Sequence, residues 1–391
     1  MFELVENSEG KANIKVVGIG GAGGNAINNM ILSDLKNVEF IAVNTDAQVL
    51  ATSLAEKKLQ IGEKITRGLG AGSNPGVGRD SALEDGDRIR EFLDGADMVF
   101  ITAGMGGGTG TGAAPVIAEI ARGLGALTVA VVTKPFFYEG RKRLSNATLG
   151  IKELNQFVDT TIVIPNDKIQ LVVEKGTPLL KSFEVANDVL RDAVQGITDL
   201  ILVPGLINLD FADVKTIMQY SGKAVMGIGK GTGEQGHIEA AKKAISNPLL
   251  EETSIDGARG ILINITGGSD LSLDAVQGAS ELVFDSAHDD ADIIFGAVID
   301  PNVTGEVKVT VIATGFEDKK DKSRIAIPEN NNKWRAAEKE RVFTRGSDRV
   351  LSKALFDFSK EDKIPATELM SSYDDDVDIP TFIRKKREEK V

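Results

Sequence analysis

Gly104-Met-Gly-Gly-Gly-Thr-Gly-Thr-Gly112 stands between an apolar run, Ala96–Thr102, that predicts a buried strand, and a helical pattern that opens at Ala113. Six glycines in nine positions would destabilise the interior of a strand or a helix. They suit a turn whose backbone N–H groups face an anion at the positive end of a helix dipole. A flexible linker is the alternative, but linkers are seldom held between a buried strand and a helix. We therefore predict a site for the phosphates of a nucleotide, with two threonine hydroxyls as extra donors, formed by Gly104, Gly106, Gly107, Gly108, Thr109, Gly110, Thr111 and Gly112.

A second glycine-rich turn follows the first predicted strand, Ile14–Ile19, and precedes a predicted helix, Ala26–Leu32. Its pattern Gly18-x-Gly20-x-x-Gly23 matches the dinucleotide fingerprint, and Asp46 after the next strand is a candidate ribose ligand. The interval from Gly18 to Asp46 exceeds the usual ~20 residues, so the match is weak by itself. Two glycine-rich turns in one α/β pattern are stronger evidence for nucleotide binding than this match alone. The chain has no GxxxxGK[ST] motif, so by that criterion it is not a P-loop NTPase.

The composition narrows the class of protein. A chain of 391 residues can form two domains with tails, and its lack of cysteine excludes disulfides and thiolate metal sites. Its two histidines, His237 and His288, are far apart, which argues against a zinc site or a histidine-based triad. A net charge of −13 argues against general nucleic-acid binding. No apolar run approaches the ~20 residues of a membrane span and the polar N-terminus has no signal core, so we expect a cytoplasmic protein without membrane insertion.

Strands and helices alternate through the first half of the chain. The predicted strands are Ile14–Ile19, Val38–Val43, Ala96–Thr102, Leu127–Thr133 and Thr160–Ile164. The predicted helices between them include Asp80–Leu93, Ala113–Gly123 and Arg141–Gln156. Apolar strands that alternate with helices predict a parallel sheet covered on both faces. Both glycine turns would then lie at the carboxyl ends of strands, where such sheets bind ligands.

A long helix and a second, smaller α/β domain follow. The pattern over Pro178–Leu202 has an apolar face and ends before Pro204-Gly205, so it predicts a core helix between two domains. The predicted strands beyond it are Ala224–Ile228, Gly260–Thr266, Asp292–Val298 and Val307–Thr314, and the predicted helices are Gln235–Ile245 and Leu273–Glu281. We therefore divide the chain into an extension (1–12), a nucleotide-binding domain (13–177), a central helix (178–203), a C-terminal domain (204–316), a linker (317–373) and a terminal peptide (374–391).

The end of the chain has a composition of its own. Residues 317–373 are rich in charged and polar side chains with few aliphatics, which favours a disordered linker. An apolar cluster then follows inside a charged tail, made of Ile379, Pro380, Phe382 and Ile383. We interpret this cluster as a short docking motif for a partner. A random end of a tail is the alternative, but a solvated tail has no folding reason to carry these side chains.

An acidic motif, Asn208-x-Asp210-x-x-Asp213, follows the long helix and leads into a predicted helix over Val214–Met218. Residues three apart on a helix share a face, so Asp210 and Asp213 could orient a water molecule or hold a cation. The alternative is a helix cap, in which Asn208 or Asp210 caps and Asp213 complements the dipole. The local sequence alone favours the cap.

These motifs in combination resemble the FtsZ family, the tubulin-like GTPases of bacterial cell division. The resemblance rests on the glycine signature, the acidic motif, Thr133-Lys-Pro-Phe136 and the apolar tail, in this order, and it spans the whole chain. Tubulin shares the glycine signature, but tubulins are longer and lack such a tail. The resemblance implies an α/β fold of the tubulin/FtsZ kind. A Rossmann-type parallel-sheet GTPase domain is joined by a long central helix to a smaller, GTPase-activating α/β domain, and a disordered tail follows.

The resemblance also implies roles for single residues. The family's first phosphate loop falls on Gly21, Ala22, Gly23, Gly24 and Asn25. The signature turn places Gly108, Thr109 and Gly110 against the phosphates. Contacts to the ribose and to the base side fall on Glu139 and Arg143, and the surroundings of the guanine on Asn166, Phe183 and Asn187. Asn187 stands where the family has Asp or Asn, so its amide would read the guanine edge without a charge. Asn44 and Asp46 resemble residues near the phosphate and the cation.

The ligands implied by the resemblance are GTP and GDP with Mg²⁺. This hard ion dehydrates reluctantly, so phosphate oxygens and water would hold it, and we assign it no protein ligand. The tail resembles the family's terminal peptide, which implies docking on membrane-anchored division adaptors such as FtsA and on division regulators. The basic run Arg384–Arg387 could touch anionic lipid, but Glu388 and Glu389 dilute it, so direct membrane binding is the weaker interpretation. The implied location is the cytoplasm at midcell, beneath the inner membrane.

Helix geometry predicts head-to-tail assembly if Asn187 lies at the base. Asp210 comes 23 residues later, which puts the acidic motif more than roughly 20 Å from the nucleotide along a helix. The motif could then act on a neighbour's γ-phosphate, and such a heterologous contact without ring closure gives a filament. The expected catalytic residues are therefore Asn208, Asp210 and Asp213, which would position the attacking water.

Two other classes of function stay open at this point. The N-terminal fingerprint suggests a nicotinamide-dependent oxidoreductase, but that function leaves the second glycine turn without a purpose, and neither histidine lies in a general-acid motif. The other class is a nucleotide-gated scaffold that binds GTP without hydrolysing it. The intact acidic motif argues against the scaffold.

Overall fold

The part of the chain that carries the fold can be described residue by residue. A computed structural model describes residues 12–174, 176–203, 210–219, 222–233, 235–247, 255, 257–288, 290–300 and 303–316. The N-terminal extension up to residue 11, Asn208, the linker and the terminal peptide, with Ile379, Pro380, Phe382 and Ile383, lie outside these residues. Within the described ranges, none of the helices is both long enough and apolar enough to cross a membrane.

Six strands and eight helices alternate in the first half of the described chain. The strands are β1 (Ile14–Ile19), β2 (Glu39–Asn44), β3 (Lys57–Gln60), β4 (Met98–Gly104), β5 (Leu127–Lys134) and β6 (Thr160–Pro165). The helices are α1 (Gly20–Leu32), α2 (Ala47–Ala51), α3 (Glu63–Thr66), α4 (Pro75–Glu84), α5 (Gly86–Leu93), α6 (Thr109–Gly123), α7 (Arg141–Leu154) and α8 (Asn166–Ile169), and a 3-10 turn covers Phe137–Glu139. The five predicted strands are confirmed within two residues. The short edge strand β3 was missed because it carries a single aliphatic residue.

The second half begins with the predicted long helix. Its elements are α9 (Leu179–Leu202), α10 (Phe211–Met218), β7 (Gly222–Thr232), α11 (Gly236–Ile245), β8 (Gly260–Gly267), α12 (Leu273–Phe284), β9 (Asp292–Ile299) and β10 (Glu306–Thr314). β7 ends four residues beyond the predicted Ala224–Ile228. The prediction stopped short because the added stretch contains glycines, which alternate along the face of the strand that α11 covers. A Cβ at Gly229 would lie 1.9 Å from the Ala240 carbonyl oxygen, so this face needs glycine.

All ten strands of the described residues form one sheet, in the order β3-β2-β1-β4-β5-β6-β7-β10-β8-β9. From β3 to β7, each strand of this order is parallel to the next. β10 is antiparallel to both β7 and β8, and β9 is parallel to β8. The order 3-2-1-4-5-6 is that of the dinucleotide-binding Rossmann fold, which binds ligand where the strand order reverses, here between β1 and β4. The predicted parallel sheet is confirmed, and both glycine stretches follow these two adjacent strands.

The starts of three helices differ from prediction. α1 begins at Gly20 rather than Ala26, and α6 begins at Thr109 rather than Ala113, so each glycine stretch includes the first turn of a helix. Tight packing explains these helical glycines: a Cβ at Gly23 would lie 2.4 Å from the Thr102 carbonyl oxygen, and one at Gly112 1.9 Å from that of Pro75. The predicted helix Asp80–Leu93 is two helices, α4 and α5, which meet at Asp85. The Asp85 carboxylate turns away to accept a hydrogen bond from Gly62 N at 2.8 Å.

The sheet separates two cores in the first half. Val16 of β1 packs with α1 and α9, whereas the next residue, Val17, packs with α6 on the other face. The core on the α9 side also contains Leu262 of β8 and Ile312 of β10, so α9 packs against strands of both halves, as predicted for a central helix. A third core lies between the second-half strands and the helices α11 and α12. This packing fixes α9 beside the carboxyl ends of β1 and β4.

Candidate nucleotide-binding site

A cavity of about 360 Å³ opens where the strand order reverses. Its size falls within the range of small-molecule and cofactor sites. Twelve of its lining residues were predicted from the sequence: Gly21, Ala22, Gly104, Gly107, Gly108, Thr109, Gly110, Glu139, Arg143, Asn166, Phe183 and Asn187. The sequence analysis missed Ile19, Met105, Thr133, Pro135, Ala186 and Leu190. Thr133 and Pro135 belong to the motif Thr133-Lys-Pro-Phe136 that carried the resemblance, and the other four lie within about three residues of a predicted contact, so these motifs could have pointed to them.

One end of the cavity is formed by the N-termini of two helices. Ile19 and Gly108 are the N-cap residues of α1 and α6, and neither helix has a side-chain cap. The first N–H groups of a helix have no partner within the helix, and the dipole places positive charge there. Two converging N-termini with uncapped amides therefore form a site suited to the phosphates of a nucleotide.

The glycines at this end have two different roles. Gly21 and Gly107 line the cavity, and a Cβ at either position would meet no protein atom within 4 Å. Their missing side chains leave room for a ligand. Gly108 and Gly110 instead allow close packing, since a Cβ at Gly108 would lie 2.7 Å from the Ala71 methyl group and one at Gly110 2.8 Å from the Gly104 carbonyl oxygen.

The two threonines of the signature differ in the same way. Thr109 lines the cavity, and its hydroxyl lies 2.6 Å from that of Thr45. Thr111 is buried, does not line the cavity, and accepts a hydrogen bond from Gly106 N at 2.8 Å. The Thr111 hydroxyl therefore orients the turn as an acceptor, and the predicted donation of both hydroxyls to the ligand stays a prediction.

The other end of the cavity has an aromatic ring and two carboxamides. Phe183 is 39% exposed and meets buried Phe136 edge to face, with ring centroids 5.4 Å apart, which leaves a face of Phe183 for a planar ligand. Asn166 is 7% exposed, and its buried Oδ1 has no hydrogen-bond partner among the described residues. An unsatisfied buried acceptor is unfavourable unless a ligand supplies a donor. The arrangement fits a heterocyclic base with N–H groups on its edge.

A charged pair lines the cavity near Phe136. Glu139 Oε2 accepts from Arg143 Nη1, and Glu139 Oε1 accepts from Phe136 N at 3.0 Å. Both oxygens of this carboxylate are therefore engaged by the protein. The guanidinium group of Arg143, whose side chain is 47% exposed, keeps further N–H groups for a ligand.

Eight predicted ligand contacts do not line the cavity: Gly23, Gly24, Asn25, Asn44, Asp46, Gly106, Thr111 and Gly112. Asp46 caps α2, because its Oδ1 accepts from Gln48 N at 2.9 Å and from Val49 N at 3.1 Å. Asn44 Oδ1 accepts from Asp46 N at 3.1 Å. This pair therefore shapes the turn after β2, and its proximity to a phosphate or a cation stays a prediction.

The acidic motif starts α10 and does not line the cavity. Asp210 is the N-cap residue, and its Oδ1 accepts from Asp213 N at 2.8 Å. Asp213 lies in the first turn, where its charge complements the helix dipole. The cap that the local sequence favoured is thus present. The carboxylates of both residues are exposed, which leaves the catalytic role as a separate prediction.

Two family models match the chain. Residues 13–174 match the Tubulin/FtsZ family, GTPase domain, and residues 222–317 match the FtsZ family, C-terminal domain. An FtsZ dimer from M. jannaschii is 47% identical, with a TM-score of 0.76, and the match covers 79% of this chain and 89% of that one. A point mutant of FtsZ from M. jannaschii is 46% identical, with a TM-score of 0.74 over 78% of this chain and 92% of that one.

A more distant likeness concerns the fold alone. CetZ2 from Haloferax volcanii, solved as a GTPγS-bound protofilament, is 21% identical, with a TM-score of 0.66 over 79% of this chain and 94% of that one. The matched GTPase model favours guanine nucleotides over the nicotinamide cofactor of the oxidoreductase alternative. The identity, the coverage and the two family models show that this chain belongs to the FtsZ family and carries its GTPase domain.

Proposed function

We propose that this protein hydrolyses GTP to GDP and phosphate when a second copy docks head to tail, and that the resulting filaments form the cell-division ring. One observation carries the proposal: the cavity has groups for a nucleotide but none to activate water. Glu139 is the sole acidic residue in the described lining, which also contains no histidine. Both Glu139 oxygens already accept hydrogen bonds.

The residues of one subunit would bind the nucleotide. The first N–H groups of α1 and α6 would hold phosphate oxygens and stabilise the charge that develops on them. Phe183 would stack on the guanine, and Asn166 and Asn187 would hydrogen-bond to its edge. Arg143, held by Glu139, would lie on the ribose side.

The water-positioning residues would come from the next subunit. Fifteen residues separate Asn187 from Leu202, the end of α9, which corresponds to about 22 Å of helix. Asp210 and Asp213 follow that end, so they are better placed for a neighbour's γ-phosphate than for their own. With Asn208, they would orient the attacking water and accept its proton. The FtsZ dimer and the CetZ2 protofilament among similar structures support self-association.

Mg²⁺ belongs to the proposal as the partner of the triphosphate. When bound, it neutralises charge on the phosphate oxygens. The described residues contain no group of three or more acidic, histidine or cysteine side chains that could hold a metal. Phosphate oxygens and water would hold the ion, because this hard cation dehydrates reluctantly.

The cellular part of the proposal rests on the tail motif. Ile379, Phe382 and Ile383 would anchor the terminal peptide on membrane-anchored adaptors such as FtsA and on division regulators. The linker would tether the filament to the membrane, at midcell in the cytoplasm. A truncation after residue 373 should keep GTP hydrolysis and lose adaptor binding.

The first test is the rate of GTP hydrolysis per molecule against protein concentration, with light scattering recorded alongside. A threshold concentration at which both signals rise together is the expected result, because the active site would be completed between copies. A constant rate per molecule without scattering would refute the head-to-tail mechanism. Retained hydrolysis by monomeric Asp210→Ala protein would refute it as well.

Mixing two inactive variants gives a sharper test. Gly107→Val would place a side chain at the cavity wall, where a Cβ meets no protein atom within 4 Å. Asp210→Ala keeps the cavity and loses the acid. We expect the mixture to regain activity at contacts that combine one intact cavity with one intact acidic motif. The control mixes Asp210→Ala with the Gly107→Val, Asp210→Ala double variant, which should stay inactive. Equal rates in both mixtures would contradict shared sites.

A further inference from the structure

The hydroxyl of Thr109 has one protein partner among the described residues, the hydroxyl of Thr45. The two oxygens lie 2.6 Å apart, within the range of hydrogen bonds between hydroxyl groups. Thr109 lines the cavity, whereas Thr45 is fully buried and does not line it. The sequence analysis predicted Thr109 as a ligand contact and gave Thr45 no role.

Thr109 stands where the two helix N-termini converge. It is the first residue of α6, and Gly20 is the first residue of α1. A Cβ at Gly20 would lie 3.4 Å from the Cβ of Thr109. The first amides of both helices have no partner within their helix, so a hydroxyl donor at this point would face the same anion as those amides.

Burial decides which of the two hydroxyls donates. A hydroxyl group has one hydrogen to donate and two lone pairs that accept. Thr45 Oγ1 is buried, and Thr109 Oγ1 is its sole acceptor in the part of the chain that the structure describes. A buried donor without an acceptor is unfavourable, so Thr45 donates and Thr109 accepts. The hydrogen of the Thr109 hydroxyl is then left for an acceptor in the cavity, such as a phosphate oxygen.

The backbone of Thr45 is itself held in place. Its carbonyl oxygen accepts from Thr66 Oγ1 at 3.2 Å and from Gly70 N at 3.3 Å. Thr45 also lies between the end of β2 and Asp46, the residue that caps α2. Its hydroxyl therefore projects from a fixed backbone, as a group that orients another side chain requires.

We propose that Thr45 is a positioning residue for the phosphates: its hydroxyl donates to Thr109 Oγ1 and so directs the Thr109 hydrogen toward a phosphate oxygen. The donated bond also polarises the Thr109 hydroxyl, which strengthens the bond that this group makes to the phosphate. This inference rests on the proposed function, namely that the cavity holds GTP with its phosphates at the two helix N-termini. The alternative is that Thr45 only packs against Thr109.

The test is calorimetric titration of the full-length, nucleotide-free protein with GTP and Mg²⁺, and separately with guanosine, which has no phosphate. Thr45→Val keeps the shape of the side chain and removes the hydroxyl. We expect it to weaken GTP binding by about tenfold, the size of one hydrogen bond, and to leave guanosine binding unchanged. Thr45→Ser loses the methyl group and keeps the hydroxyl, so it should bind GTP as the wild type does.

A double-mutant cycle tests whether Thr45 acts through Thr109. Thr109→Val should weaken GTP binding at least as much as Thr45→Val does. The double variant should bind GTP no more weakly than Thr109→Val alone, because the Thr45 hydroxyl then has nothing left to orient. Losses that add in the double variant would overturn the inference.

The matched control is Thr161→Val, at another buried threonine, whose hydroxyl donates to Asn155 Oδ1 at 2.8 Å. Thr161 lies near the start of β6 and does not line the cavity, so this variant should lose stability and keep its affinity for GTP. Thermal unfolding checks that each variant is folded, and Thr45→Ala takes the place of Thr45→Val if the latter does not fold.

The outcomes separate this inference from the proposed function. If the wild type binds GTP and Thr45→Val binds it equally tightly, the inference is wrong and the proposed function stands. If Thr45→Val weakens GTP and guanosine binding to the same extent, Thr45 has only a packing role and the inference is also wrong. If the wild type itself does not bind GTP, the proposed function fails with it.

Discussion

Asp199 is a half-buried carboxylate on α9, and its replacement by Asn should stabilise the protein at neutral pH. Burial raises its pKa from 3.8 to about 6, although the positive charge of Lys308 and a hydrogen bond from Gln195 act in the opposite direction. Lys308 has a second partner, Asp192, at 3.2 Å, so it stays paired in an Asp199→Asn variant. The variant therefore removes the cost of a buried charge and leaves no isolated one.

The size of the effect follows from proton linkage. A rise of the pKa from 3.8 to about 6 corresponds to about 3 kcal/mol, at about 1.36 kcal/mol per unit. The pKa of Asp199 is higher in the folded state than in the unfolded state. The contribution of the neutral carboxyl group to the free energy of unfolding is therefore fully present below pH 3.8, and it is lost as the pH rises through about 6. Residual contact with water screens the charge, so about 3 kcal/mol is an upper bound for the gain at pH 8.

Urea unfolding of the full-length proteins at a series of pH values measures this gain. The stability difference between Asp199→Asn and wild type should grow from about 1 kcal/mol near pH 4.5 to a plateau above about pH 6.5. Asp34→Asn, at an exposed site on the loop after α1, is the control for the loss of one carboxylate outside the core. A pH-independent difference, or a wild type more stable than the variant at pH 8, would refute the burial argument.

Three further predictions concern the signature helix, the base and the acidic motif. Gly112→Ala should lower the free energy of unfolding by about 2 kcal/mol or more, because its Cβ would lie 1.9 Å from the Pro75 carbonyl oxygen. Gly123 lies in the same helix, and a Cβ there would meet no atom within 4 Å, so Gly123→Ala should be neutral or stabilising by about 0.5 kcal/mol. Equal thermal shifts for the Gly112→Ala and Gly123→Ala variants would contradict the packing argument. Phe183→Ala should weaken GTP binding by about 1–3 kcal/mol in calorimetry, the size of a lost aromatic stack, whereas unchanged affinity would place the base elsewhere. Asp210→Ala should lose the cap of α10 and about 1 kcal/mol of stability. It should also lose GTP hydrolysis while its affinity for GTP stays unchanged. A loss of affinity would show that Asp210 contacts the nucleotide bound to its own subunit.

Several features of the fold could be predicted from the sequence because they depend on local patterns. The apolar strand Ile14–Ile19 and its neighbours were found within two residues, since a strand buried on both faces reads as a continuous apolar run. The long helix α9 was found within one residue of its ends because an apolar stripe and flanking prolines mark it. Twelve lining residues of the cavity followed from the glycine motifs and the family resemblance.

Other features escaped prediction because they depend on contacts between segments far apart in the chain. Glycine weakens an isolated helix, so the sequence argued for turns at Gly20–Asn25 and Thr109–Gly112, whereas packing against Thr102 and Pro75 makes helix the better state. The inward turn of the Thr111 hydroxyl, toward Gly106, could not be read from its spacing, which is the same as that of a ligand donor.

The sequence by itself determined most of the strands and helices and the parallel sheet, because periodicity and glycine spacing are properties of short segments. The resemblance to a known family implied the guanine nucleotide. Only the tertiary structure decided which groups meet. It brought the carboxyl ends of β1 and β4 beside α9, and it left Asn166 with an unpaired oxygen in the cavity. It also left the acidic motif of α10 outside that cavity. These outcomes depend on strand order and side-chain packing, which relate residues that local sequence does not connect.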